Sequence, residues 1–132
     1  MLRHTLRKEE RIYLRSELEL LFASKGSFTS YPFRVIYCRF PKQGEALKMM
    51  VSVPKKRLKR AVDRNRIKRL TREAFRLQKI LILGKVPSDQ TLLIGFVYIG
   101  EHVKGYHTVF RGITDALNKL SKHYDDQAPQ VD

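Results

Sequence analysis

The residues with the plainest chemical use form one run, Arg64-Asn65-Arg66-Ile67-Lys68-Arg69. Lys55, Lys56, Arg57, Lys59 and Arg60 precede it, and Arg72 and Arg76 follow. A planar guanidinium grips a phosphate through two parallel hydrogen bonds. Asn65 can donate to a phosphate and accept from a sugar hydroxyl. The chemistry on offer is anion recognition, with RNA as the natural target. Hydrolysis by the chain itself is not expected. Its 13 Asp and Glu residues are scattered and form no D-x-D pair of the kind that a two-metal nuclease uses. His4, His102, His107 and His123 are isolated, with no Cys or carboxylate at ligand spacing. There is no glycine-rich phosphate loop. No catalytic residue is therefore expected on this chain.

The charge balance agrees. The 132 residues carry 27 Lys and Arg against 13 Asp and Glu, a formal charge of +14. A small domain bears that self-repulsion when it meets a polyanion. Nucleic acid is the first candidate and an acidic membrane surface the second. The membrane reading needs exposed apolar residues beside the cations, and only Phe75 offers one. No apolar run approaches the roughly 20 residues that span a bilayer. The N-terminus leads into charge and not into the apolar core of a signal peptide. Cys38 has no second cysteine to pair with and reads as a small core residue. Together these features point to a cytoplasmic protein.

The elements that must hold the basic run follow from pattern. Residues 1–15 read as an extended arm anchored by Leu6, Ile12 and Tyr13. Ser16 and Glu19 have capping-box spacing, so a short helix follows, with Leu18, Leu21 and Phe22 on one face and Gly26 at its end. Residues 32–40 alternate as a strand does. Gln43-Gly44-Glu45 supplies a turn, and residues 47–53 read as the second strand of a hairpin, stopped at Pro54. A helix then carries the basic run to about Leu81, where Gly84, Pro87 and Ser88 break the pattern. Residues 91–99 are almost continuously apolar, as in a strand covered on both faces. A last helix over 108–123 places Val109, Ile113, Ala116, Leu117 and Leu120 at helical spacing. The expected architecture is one α/β two-layer sandwich over residues 1–124. It has a mostly antiparallel sheet in the order helix, strand, strand, helix, strand, helix, with room for one more short strand. A disordered tail is expected over 125–132.

Angles can be counted at about 100° per residue along the basic helix. With Ile67 at zero, Leu70, Ala74, Leu77 and Leu81 fall between roughly 280° and 340° and form the stripe expected to face the sheet. Arg64, Lys68, Lys79, Arg72, Asn65, Arg76 and Arg69 fall between roughly 60° and 200°. Arg66, at roughly 260°, is expected to border the apolar edge. An ordinary solvated face mixes signs. Here Asp63 and Glu73 are the only acids nearby, so phosphate is the simplest offset to the repulsion. Asp63 favours the helix start through the dipole.

The stretch Lys55-Lys56-Arg57-Leu58-Lys59-Arg60-Ala61-Val62-Asp63-Arg64-Asn65-Arg66-Ile67-Lys68-Arg69, closed by Arg72-Glu73-Ala74-Phe75-Arg76, resembles the signature of the bacterial ribonuclease P protein family. Ser52-Val53 before it and Leu6-Arg7-Lys8 near the start also match, so the resemblance covers most of the chain. One departure is that Arg57-Leu58-Lys59-Arg60 fills a spacer that in many members is shorter and contains glycine. The resemblance implies an αββαβα-like sandwich with a left-handed βαβ crossover, against the usual hand. It also implies an endoribonuclease subunit that acts on precursor tRNA, with the catalytic centre and its Mg²⁺ on an RNA partner. Contacts to the catalytic RNA then fall on Lys55, Lys56, Arg60, Arg64, Asn65, Arg66, Lys68, Arg69, Arg72 and Arg76. A separate cleft, between the first helix and the sheet, takes the single-stranded leader. Leu18 and Phe22 with Phe33, Val35 and Tyr37 are its candidate lining, and Arg34 and Arg39 its backbone contacts. The alternative is a basic structural protein, such as a ribosomal protein or an RNA chaperone.

Overall fold

A computed structural model of the chain describes residues 10–12, 15–42 and 44–126. The elements are α1 (Arg15–Ala23), β1 (Gly26–Ser30), β2 (Phe33–Pro41), β3 (Leu47–Ser52), α2 (Ala61–Gln78), α3 (Ile80–Leu83), β4 (Gln90–Tyr98) and α4 (Tyr106–Asp126). They build an α+β sandwich on one mixed sheet, in strand order β1-β2-β4-β3. The expected pairing of β2 with β3 does not form. β4 lies between them, antiparallel to β2 and parallel to β3. A strand buried along almost its whole length needs a neighbour on each edge and cover on each face, and only the centre supplies both. The hairpin is instead β1 with β2, turning at Tyr31-Pro32, whose peptide bond is cis.

The sheet has two unequal faces. One packs under α2 and α4 and holds the main core, including Phe33, Val35, Leu47, Met49, Ile94, Phe96 and Tyr98. Edge-on ring contacts knit it: Phe33 to Phe96 at 5.7 Å and Phe75 to Phe96 at 5.9 Å. The other face carries α1 and a smaller cluster of Ile12, Leu21, Ile36 and Leu93. Gly95 lets α1 settle there, because a Cβ at that position would stand 2.9 Å from Leu21 Cδ2 and 2.8 Å from Ile36 Cγ1.

The chain before β1 is held by bonds that periodicity does not reveal. Ile12 N–H donates to Met49 O at 2.8 Å, on the free edge of β3. Two buried ion pairs add to this: Glu17 with Lys48 at 2.6 Å and Glu10 with Lys79 at 2.9 Å. Ser16 lies inside α1 and not at its cap. Glu19 accepts from Arg15 Nε at 3.2 Å, which takes the carboxylate the capping box would have used. Leu6 and Tyr13 lie outside the described residues. At the far end α4 continues to Asp126, and Asp125 pairs with Lys85 at 2.6 Å. Residues 125 and 126, expected in a tail, therefore belong to α4, and 127–132 lie outside the described residues. No helix among the described residues is long and apolar enough to cross a membrane.

Candidate nucleic-acid interface

α2 follows directly from the loop after β3. Its N-cap, Arg60, is extended (φ −86°, ψ 131°) with no side-chain cap, while Asp63 sits in the first turn where the helix dipole favours an acid. The spacer 57–60 is a turn built without glycine. Arg57 N–H donates to Pro54 O at 3.0 Å, and Leu58 is buried, so its side chain anchors the loop to the core.

The helix is rotated from the expected setting. Its buried residues are Ile67, Thr71, Ala74, Phe75 and Gln78, centred near 20° on the same count, roughly 70° from the aliphatic stripe. Leu77 and Leu81 are 39% and 38% exposed, whereas Phe75 is fully buried against Phe96. Phe75 therefore offers nothing to a membrane surface. The physical reason is that the two polar residues in the stripe are satisfied. Thr71 Oγ1 donates to Ile67 O at 2.7 Å. Gln78 Nε2 donates to Phe110 O at 3.1 Å, and Gln78 Oε1 accepts from Thr114 Oγ1. A hydrogen-bonded polar group can be buried at little cost.

This rotation sorts the cations. Asn65, Arg66 and Arg69 are exposed, so Arg66 stands outward and does not brace the apolar edge. Lys55, Lys56, Lys59 and Arg60 are exposed on the loop. Lys68 and Arg72 are half-buried. Desolvation, helped by the Arg11 guanidinium, lowers the pKa of Arg72. Arg64 works inward: its Nη1 donates to Leu58 O at 3.0 Å and Lys59 O at 2.8 Å, and so ties the basic loop to the helix. Arg76 Nε donates to Glu73 Oε2 at 3.1 Å; that bond holds the Glu73 carboxyl below its ordinary value and raises Arg76. Lys79 leaves the patch altogether for its buried pair with Glu10.

The proposed lining of the leader cleft does not come together. Phe33, Val35 and Tyr37 share one face of β2, as alternation requires, but that face lies under α4. Phe33 and Val35 are fully buried there and reach no ligand. Tyr37 is half-buried between Phe28 at 6.0 Å and His123 at 5.5 Å. α1 covers the opposite face. Phe22 on α1 is 58% exposed, and Leu18 packs at the edge of the smaller cluster. That face also presents Thr29, Arg34, Val97 and Ser52, which register as one row across the four strands. Alternation settles which residues share a face but not which helix covers it. Arg39 stacks over the Tyr124 ring at 5.1 Å and is occupied on the α4 side.

No group of three or more His, Cys, Asp or Glu side chains among the described residues is arranged to hold a metal ion.

Comparison with known proteins gives a consistent result. The family model described as Ribonuclease P matches residues 6–97. A ribonuclease P protein component of Porphyromonas gingivalis is 38% identical over 126 residues, covering 93% of this chain and 91% of its own. One from Serratia proteamaculans is 41% identical over 80 residues, covering 60% of this chain and 58% of its own. Among solved structures, the Staphylococcus aureus RNase P protein superposes with a TM-score of 0.66 at 23% identity, over 89% of this chain and 99% of that one. The Thermotoga maritima RNase P protein gives 0.59 at 22% identity, over 83% and 96%. At such identities the structures speak for the fold, and the sequence matches carry the kinship: the chain that bears this basic helix belongs to the ribonuclease P protein family.

Proposed function

We propose that this chain is the protein subunit of ribonuclease P, the ribonucleoprotein endonuclease that removes the 5′ leader from precursor tRNA, and that it works in the cytoplasm. One observation carries the reading. Asn65, Arg66 and Arg69 stand outward together on α2, and the exposed cations of the preceding loop are pinned to that helix by Arg64. Such a surface binds phosphates and positions a partner RNA without performing chemistry itself. The chain then docks through α2 on the catalytic RNA, which supplies the bound Mg²⁺ and the reaction centre. The leader lies on the α1 face, where Phe22 and Leu18 offer stacking surface and Arg34 a phosphate contact. The exposure of Phe22 and Arg34 on that face supports the assignment.

The protein's contribution to cleavage is electrostatic and positional. Cations placed between two RNAs reduce their repulsion, which otherwise must be screened by Mg²⁺. Reconstitution with the catalytic RNA should lower the Mg²⁺ concentration needed to cleave precursor tRNA, while the protein alone cleaves nothing. Identical Mg²⁺ titrations with and without protein would contradict the proposal.

A further inference from the structure

A second basic surface lies on α4 beside the β1–β2 turn. There the β1–β2 turn and α4 enclose an open groove of about 900 Å³, lined among others by Thr29, Tyr31, His107, Arg111, Asp115 and Lys119. That is near the top of the range of roughly 300–1,000 Å³ in which ligands are held. Its walls are fixed. Ser30 Oγ donates to Gly112 O at 2.7 Å, joining turn to helix. Gly112 allows this closeness, since a Cβ there would stand 2.6 Å from Tyr31 O.

The lining combines cations with an accessible aromatic ring. Arg111 and Lys119 are exposed, and neither forms a salt bridge among the described residues. They lie eight residues apart on one helix, roughly 12 Å along its axis at 1.5 Å per residue, so one strand can touch them at different phosphates. Lys119 Nζ sits 4.7 Å from the Phe28 ring centroid. Tyr31 is 54% exposed at the turn, with Lys104 Nζ at 5.8 Å from its ring centroid. Asp115 is the one acid of the lining. A ring bordered by cations in an open groove suits an unpaired nucleotide that stacks while its phosphates pair. Neither the basic motif nor the leader face includes Tyr31, Arg111 or Lys119.

We propose that this groove is a second RNA site, taking a short single-stranded segment, with Tyr31 as stacking platform and Arg111 and Lys119 as phosphate contacts. It rests on the ribonuclease P reading for the identity of the RNA, either the catalytic RNA or the precursor. The test measures two affinities as a function of salt: free protein for catalytic RNA, and assembled holoenzyme for precursor tRNA. The charge reversal Arg111→Glu/Lys119→Glu should weaken one of the two by about tenfold and flatten its log–log salt slope by about 1.4, at roughly 0.7 per single-strand phosphate. The arm that weakens names the RNA. Tyr31→Ala, at an exposed turn, should weaken the same arm without flattening the slope, and it stands as the test if the double variant does not fold. Arg111→Lys/Lys119→Arg should restore affinity. If neither arm moves while Arg69→Glu on α2 still weakens catalytic-RNA binding, the groove is not an RNA site. If Arg69→Glu is also without effect, the ribonuclease P reading fails, and the groove proposal fails with it.

Discussion

α2 and α4 are the two long helices on the same face of the sheet, and they read from sequence very differently. Every residue that spacing places on the inner stripe of α4, Val109, Ile113, Ala116, Leu117 and Leu120, is buried. On α2 the aliphatic stripe misjudges the face: Leu77 is exposed, while Thr71 and Gln78 are buried. α4 has a dense apolar period that leaves one solution. α2 has few aliphatic residues, and a large aromatic, Phe75, outweighs two leucines once neighbouring polar groups find partners. The lesson is that a helix built to present charge outward can be seated by hydrogen bonds as well as by hydrophobic burial. Its binding face must then be taken from those bonds.

That contrast can be broken most forcefully by truncation. Phe75→Ala should cost about 3–5 kcal/mol in urea unfolding, as a buried aromatic does, comparable to the buried Leu117→Ala on α4 at about 2–5 kcal/mol. Leu77→Ala should cost under about 1 kcal/mol, because the side chain is already partly solvated. Equal losses at 75 and 77 would mean that α2 sits as the aliphatic stripe suggests.

A double-mutant cycle sharpens the same point at smaller scale. Gln78→Leu and Thr114→Val remove the two ends of the bond joining α2 to α4. Thr114→Val should cost about 1–3 kcal/mol, since Gln78 Oε1 is left without its donor, and Gln78→Leu should cost less, because Thr114 Oγ1 still donates to Phe110 O at 2.9 Å; the pair should cost less than the sum. Strict additivity would show that the two residues are not coupled.

How much of this was legible in the sequence follows from the kind of force involved. The basic motif, the central β4 and the α4 stripe are local patterns, and each reads directly. β1 is Gly-Ser-Phe-Thr-Ser with a single apolar side chain, an edge strand with no pattern strong enough to announce it. The insertion of β4 between β2 and β3 is a long-range pairing, and adjacency in sequence suggested a hairpin instead. The Glu10–Lys79 pair joins residues 69 apart, so no spacing reveals it. Of the site, the residue types on α2 were readable, but the division of labour was not. Arg64 bracing the loop, Arg66 facing outward and Lys79 withdrawn are consequences of packing. Phe33 and Val35 were misassigned because α4, far along the chain, covers their face.

The smallest expected effect is electrostatic. The depressed Glu73 carboxyl marks a contribution that is present above its ordinary pKa, 4.5, and is lost as pH falls through the lower folded value. The pair with Arg76 is an exposed i,i+3 contact, so Glu73→Gln should cost only about 0.2–0.5 kcal/mol at pH 7 and nothing at pH 2. A loss that persists at pH 2 would assign Glu73 a packing role.

The central claim is that the outward cations of α2 dock an RNA and do not hold the fold. The most direct measurement is the affinity of Arg66→Glu/Arg69→Glu for the catalytic RNA, with the unfolding midpoint taken on the same sample. The account expects binding weakened by at least about tenfold, with a shallower salt slope and an unchanged midpoint. Undiminished affinity, or an affinity loss that only follows unfolding, would contradict it.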